Sequence, residues 1–212
     1  MNTFTSEVAN STWLSDILLI SPMIAIFIFS LIPLTIKVLR GNKEQHPTAS
    51  VIEALMGLCV AAGLLIVFSG SGVDGSPTAF FGQLIFDGTT QWMGLVALFS
   101  GAGAIILMSD NAATKGAQLS ELIFLILNSL LGALILIAST NLMTAFIGLE
   151  LMSLALYLMI AMSNEQKISK EAAIKYFILG SFASAIFLYG VSFIYGSTKS
   201  VNILDIMKVA ES

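Results

Sequence analysis

The sequence predicts an all-α membrane protein of about six transmembrane helices. Two observations carry this. Of 212 residues, 57% are hydrophobic and 10% are charged, with a mean hydropathy of +0.93. A soluble domain carries about 25% charged residues, and a soluble fold of this size could not hide so much apolar side chain. Second, six runs approach the roughly 20 apolar residues that cross a hydrocarbon core of about 30 Å. They are 14–39, 49–69, 91–109, 119–139, 142–163 and 171–195.

Composition also excludes. The net charge of −4 comes without a basic cluster, so nucleic acid is not an expected partner. The single cysteine, Cys59, rules out an intramolecular disulfide, and with the single histidine, His46, it cannot build a His/Cys metal centre. No phosphate loop, dinucleotide fingerprint or catalytic triad is present. Residues 1–13 hold no Lys or Arg and precede an apolar run too long for a signal peptide. They read as an external N-terminal segment, with a mature helix from Leu14 onward.

The first span contains Pro22 and Pro33, so a kink or interruption is expected there. Alternate loops carry Lys37, Arg40 and Lys43, then Lys115, then Lys167 and Lys170. The opposite side bears Lys199 and Lys208, in the tail. The positive-inside bias therefore places these basic loops in the cytoplasm and the N-terminus outside. Spans one to three cover 14–109 and include an external segment, 70–90. Within it Ala79 to Gly88 is β-prone and ends in Asp87-Gly88, which reads as a small hairpin or as a structured loop without a ladder. Spans four to six cover 119–195. Residues 196–212 read as a polar external tail with a short apolar patch, or as a truncation point.

Glu150 carries the chemistry. It lies deep in span five among Phe146, Ile147, Leu149, Leu151 and Met152. A carboxyl at that depth is costly in lipid and should face the bundle interior or water. Helical spacing sets Ser153 and Tyr157 on its face, a polar stripe suited to a proton relay. The plainer reading is a protonated glutamic acid hydrogen-bonded to a neighbouring helix. Lys175, about one turn inside span six, can snorkel to the interface, pair with Glu171 four residues earlier, or point inward as part of a proton path. Glu53 and Glu121 lie near the ends of spans two and four and read as interfacial, solvated carboxylates. Asp16 reads as interfacial and Asp87 as a turn or capping residue. Gly180 and Ser184 form a small-xxx-small pair that favours close packing, and the ten methionines read as packing rather than ligands.

The stretch from Phe146 to Tyr157, with Gly148-Leu149-Glu150-Leu151 at its centre, resembles the "LGIELxSLPLY" segment of subunit N of bacterial NADH-quinone oxidoreductase, the antiporter-like membrane subunit family of respiratory complex I. Glu171 to Ala185, which includes Ile174-Lys175-Tyr176-Phe177 and Leu179-Gly180, resembles that family's "EAxIKYFxLGAxxSA". The strong likeness covers residues 119–196. Upstream it rests on a Pro-containing first helix and the pattern from Phe81 to Asp87.

The resemblance implies the first part of the antiporter-like complex I subunit fold. It also implies a role in proton translocation coupled to quinone reduction elsewhere in the complex, and a subunit of an NADH:quinone oxidoreductase with no redox site of its own. Glu150 would be the protonatable group of the fifth helix and Lys175 the lysine of the sixth. NADH, FMN, iron–sulfur clusters and quinone would sit in partner subunits. The partners implied are the other membrane subunits and the lipid of the bacterial inner membrane. An Mrp-type cation/proton antiporter or membrane-hydrogenase subunit shares the same ion-path logic, and a non-transporting assembly fragment is a third reading. Two departures stand out. Ala155 replaces the family's usual proline, so helix five is expected to be straighter. The family also has more helices than six, in two inverted repeats, so the chain reads as an N-terminal portion or truncated piece whose later lysine-bearing helices would lie beyond Ser212.

Overall fold

A computed structural model describes residues 13–39, 47–69, 78–109, 119–162 and 167–211. His46, Arg40, Lys43, Lys115 and nearly all of the N-terminal segment lie outside the described residues. The fold class read from the sequence is borne out: among the described residues, six helices are long and apolar enough to cross a membrane.

Residues 13–19 are helical and turn at Ile20 into α1, Ser21–Leu39. The interruption has a chemical cause. Pro22 has no N–H to donate to the Leu18 carbonyl. The Ser21 hydroxyl donates to that oxygen instead, at 2.6 Å. Pro33 lies inside α1 without ending it. Helix α2, Pro47–Ser69, begins on proline, which suits a first helical position because no intrahelical N–H is needed there.

Strands β1, Thr78–Ala79, and β2, Leu84–Ile85, form an antiparallel pair in which Thr78 faces Ile85 and Ala79 faces Leu84. The ladder reading of the 70–90 segment is the observed one, but the reversal is not at Asp87-Gly88. It falls at residues 80–83, where Phe80, Phe81 and Gly82 take φ of 51°, 58° and 79°. Asp87 instead caps α3, Gly88–Ser109, its Oδ1 accepting from the Thr90 amide at 2.8 Å.

Three helices follow: α4, Leu119–Ala138; α5, Leu142–Met162; and α6, Lys167–Thr198. At 32 residues α6 is about 48 Å long, longer than a hydrocarbon core requires. Beyond it, the tail expected to be polar with a short apolar patch holds an amphipathic helix, α7, Ile203–Ala210. Asn202 starts it by accepting from the Leu204 amide at 2.9 Å. Eight residues are too few for a spanning run, so only the Asn cap and the Ile203, Ile206, Ala210 spacing mark it.

Helix α4 is the hub, packing on α1, α2, α3 and α5, while α6 packs mainly on α5. The buried core gathers Ile26, Leu58, Leu65, Ile105, Ile123 and Leu127 from α1 to α4. Where α4 meets α5 the backbones touch. A Cβ added at Gly132 would lie 2.7 Å from the Gly148 carbonyl, and one at Gly148 would lie 2.8 Å from the Gly132 carbonyl. At one end of the bundle backbone hydrogen bonds join three connections. The Thr140 amide donates to Gln83 O at 3.0 Å, and the amide of Ile203 to Thr140 O at 2.9 Å. The Phe80 amide donates to Asp16 Oδ2 at 3.3 Å, so this carboxylate ties the hairpin to the first helix. The helix ends at Leu39, Pro47, Ser109, Leu119, Met162 and Lys167 lie at the opposite end.

Candidate functional site

Glu150 stands about 12 Å along α5 from Leu142, half-buried at the contact with α6. The Ser184 hydroxyl of α6 donates to Glu150 Oε1. One turn from Ser184, Gly180 faces Tyr157: a Cβ at Gly180 would fall 1.7 Å from the Tyr157 hydroxyl oxygen, so the glycine leaves room for the phenol where it lies. The Tyr157 ring then meets Tyr176 and Phe177 edge-on, at 5.7 and 5.8 Å. The stripe read on α5 therefore has a partner stripe on α6 running the other way. Gly180 and Ser184, read from the sequence as packing, form its centre. Ser153 lies half-buried on α5 between Glu150 and Tyr157.

Lys175 is not brought to Glu150. Its Nζ sits 2.6 Å from Glu171 Oε1, the two side chains being 73% and 65% exposed. It lies nine residues from Ser184, about 13 Å along the helix, with the Tyr157–Tyr176–Phe177 rings at the levels between. Of the three readings of Lys175, the i,i+4 pair is the one present. Exposed pairs of this kind contribute about 0.3–0.5 kcal/mol. Lys175→Gln is therefore expected to leave thermal unfolding in detergent almost unchanged. A drop of several degrees would show that the side chain has a further partner.

Two carboxyls differ from expectation. Glu121 is not simply solvated: it pairs with Lys37 across the α1–α4 contact, at 31% and 16% exposure. Glu53 is half-buried in α2, and its Oε2 is buried without a hydrogen-bond partner. Glu53 lies between one and two turns inside α2 and Glu121 in the first turn of α4; both helices are covered by others, and end distance alone does not reveal that cover. Deeper on the same contact, Asn128 Nδ2 donates to the Phe124 carbonyl at 2.8 Å and to Ser30 Oγ at 3.4 Å. Asn128 and Ser30 are buried, and neither stood out in the sequence. Among the described residues, no group of three His, Cys, Asp or Glu side chains is placed to hold a metal ion.

Residues 139–212, which contain Glu150, Tyr157, Gly180 and Ser184, match the family described as NADH:quinone oxidoreductase/Mrp antiporter, TM. NADH-quinone oxidoreductase subunit N of Bdellovibrio bacteriovorus is 61% identical over 194 residues, 92% of this chain and 39% of that protein. Subunit N of Rhodobacter capsulatus is 33% identical, over 91% of this chain and 39% of that protein. The chain thus spans about two fifths of the length of the curated relatives it matches. Among solved structures, a chain of respiratory complex I from Thermus thermophilus superposes with a TM-score of 0.68 and 29% identity, covering 85% of this chain and 38% of that one. An archaeal membrane-bound sulfane sulfur reductase gives a TM-score of 0.66 at 23% identity, covering 91% of this chain and 39% of that one, and it shares the fold. With its α5–α6 site inside the matched region and subunit N relatives along nearly its whole length, the chain belongs to the antiporter-like subunit N family of NADH-quinone oxidoreductases.

Proposed function

We propose that the chain serves in a membrane subunit of a proton-translocating NADH-quinone oxidoreductase, with Glu150 as the group that takes up and releases the proton. The observation that supports this is the α5–α6 contact. A carboxyl deep in an apolar helix meets a hydroxyl from the neighbouring helix and leaves its second oxygen for another donor. Such a group can hold or release a proton without rebuilding its surroundings. Ser153 and Tyr157 line the same side. Lys175 enters as a cation near the basic-loop end of α6 rather than as a direct partner of Glu150.

In this reading the other membrane subunits are the partners, and NADH, FMN, iron–sulfur clusters and quinone belong to other chains of the complex. The basic loops face the cytoplasm, the hairpin end faces outward, and the membrane is the bacterial inner membrane. Subunit N relatives favour this over an Mrp-type antiporter or a hydrogenase subunit.

Glu150→Gln tests it, because glutamine keeps the shape and cannot exchange the proton. Quinone-reductase-linked proton pumping in membrane vesicles should fall by roughly a hundredfold, the low end of what a positioned proton-transfer group contributes. Assembly on a native gel should be normal. Unchanged pumping in an assembled complex would make Glu150 a structural carboxyl.

A further inference from the structure

We infer that α7 is a lipid-seated helix: it lies along the membrane surface at the hairpin end of the bundle and sets Leu204 and Met207 among the acyl chains of that leaflet. The inference goes beyond the proton role proposed above and does not depend on it.

The first support is where α7 starts. Its base is held through backbone to the turn between α4 and α5. The Ile203 amide donates to the Thr140 carbonyl and the Leu142 amide to the Val201 carbonyl, each at 2.9 Å. Asn141 and Asn202 pair at the same place. Helix α6 has just ended at Thr198, and Lys199 turns the chain with a φ of 57°. Helix α7 therefore begins at the level where α4 and α6 end and α5 starts, which is the boundary of the apolar spans.

Aromatic side chains mark the same level independently. Trp13 stands at the start of the first helical segment, Trp92 one turn into α3 and Tyr195 in the last turn of α6. All three are exposed, and all three belong to the hairpin end. Trp and Tyr gather where hydrocarbon meets headgroups, because one part of each ring is apolar and another is polar.

The pattern within α7 then fixes how it lies. At about 3.6 residues per turn, Ile206, Ala210, Ile203, Met207 and Leu204 form one continuous arc. Asp205 and Lys208 occupy the opposite side and pair with each other at 3.3 Å, with Val209 at their edge. A helix divided lengthwise in this way satisfies both sides when its axis runs along a polar–apolar boundary. The apolar arc is itself divided. Ile203 and Ile206 are half-buried, while Leu204 and Met207 are exposed. Protein thus covers one half of the arc and leaves the other.

The uncovered half adjoins surface of the same kind. Met143, two residues from Asn141, opens an exposed apolar stripe on α5 that runs through Ile147, Leu154 and Leu158. Their spacing keeps them on one side of that helix over its spanning length. The occupant that suits both is lipid. Asp205 and Lys208 cancel in charge, so acyl chains rather than anionic headgroups are what α7 recognises.

The test uses the assembled complex in phosphatidylcholine vesicles, photolabelled with a lipid-soluble aryl diazirine, with adducts on residues 203–210 located by mass spectrometry. Labelling at Leu204 and Met207 should exceed that at Asp205 and Lys208 by about fivefold or more, as an in-plane helix with one side in hydrocarbon requires. Even labelling of the four residues, or none at Leu204 and Met207, overturns the inference. Met207→benzoylphenylalanine in the same complex identifies what touches the exposed half. An adduct with phosphatidylcholine is expected, and a crosslink to another subunit or to another part of this chain overturns the inference by giving α7 a protein partner. The diazirine measurement needs no substitution, so it decides alone if the variant does not assemble.

Discussion

Gly148→Leu should force α4 and α5 apart and sharply lower the stability of the helix bundle. A Cβ at residue 148 would sit 2.8 Å from both the Gly132 carbonyl oxygen and the Leu136 amide nitrogen. These are backbone atoms, so no rotamer change relieves the clash. The contact is reciprocal, since a Cβ at Gly132 would meet the Gly148 carbonyl and the Met152 amide at 2.7 Å. In lipid, helix association rests on close packing rather than on a hydrophobic driving force, and small residues supply it. Overpacking a filled contact costs about 1–3 kcal/mol for a methyl or two, and leucine adds more. The expected readout is a marked fall in thermal stability in detergent and loss of the subunit from the assembled complex on a native gel. Gly103→Leu and Gly190→Leu are the controls, because an added Cβ meets nothing within 4 Å at either position. If all three variants melt alike, α4 and α5 are not in backbone contact.

The same residues show what could be read from the chain. The six spans and the depth of Glu150 were legible because lipid imposes a length and an apolar composition that a sequence displays directly. The Glu150, Ser153, Tyr157 stripe was legible from helical period alone. Its counterpart was visible only in part. Gly180 and Ser184 announce close packing, yet nothing in α6 says which helix comes close or that Ser184 would reach a carboxyl. Gly132 and Gly148 lie on different helices, and their contact depends on the crossing of α4 and α5. The Lys37–Glu121 pair is separated by 84 residues, and each residue alone resembles an ordinary helix-end charge. The α7 helix is short and depends on one cap. Local period and composition were therefore readable, while pairings set by helix crossing were not.

Lys37→Met should destabilise the protein by about 1–3 kcal/mol. Removing one partner of a fully buried ion pair costs about 3–5 kcal/mol, because the remaining charge is stranded. Exposures of 16% for Lys37 and 31% for Glu121 place this pair between that case and a surface bridge. The stranded group is Glu121, whose Oε2 is already buried without a partner. The cost should therefore arise mostly from that carboxylate, and Lys37→Met/Glu121→Leu should recover most of the lost stability. A double-mutant cycle in detergent, read by thermal unfolding, separates the possibilities. A coupling of about 1 kcal/mol or more marks the pair as a lock between α1 and α4. A coupling near zero would mean that Lys37 acts through apolar contacts of its stem. The comparison with Lys175 makes the point general. Both lysines lie toward the basic-loop end of the bundle and both meet a glutamate, but Lys175 bridges one turn of its own exposed helix while Lys37 joins two helices across a covered contact. Only the second arrangement ties a charge to the position of a neighbouring helix, so only there should a neutral side chain be costly.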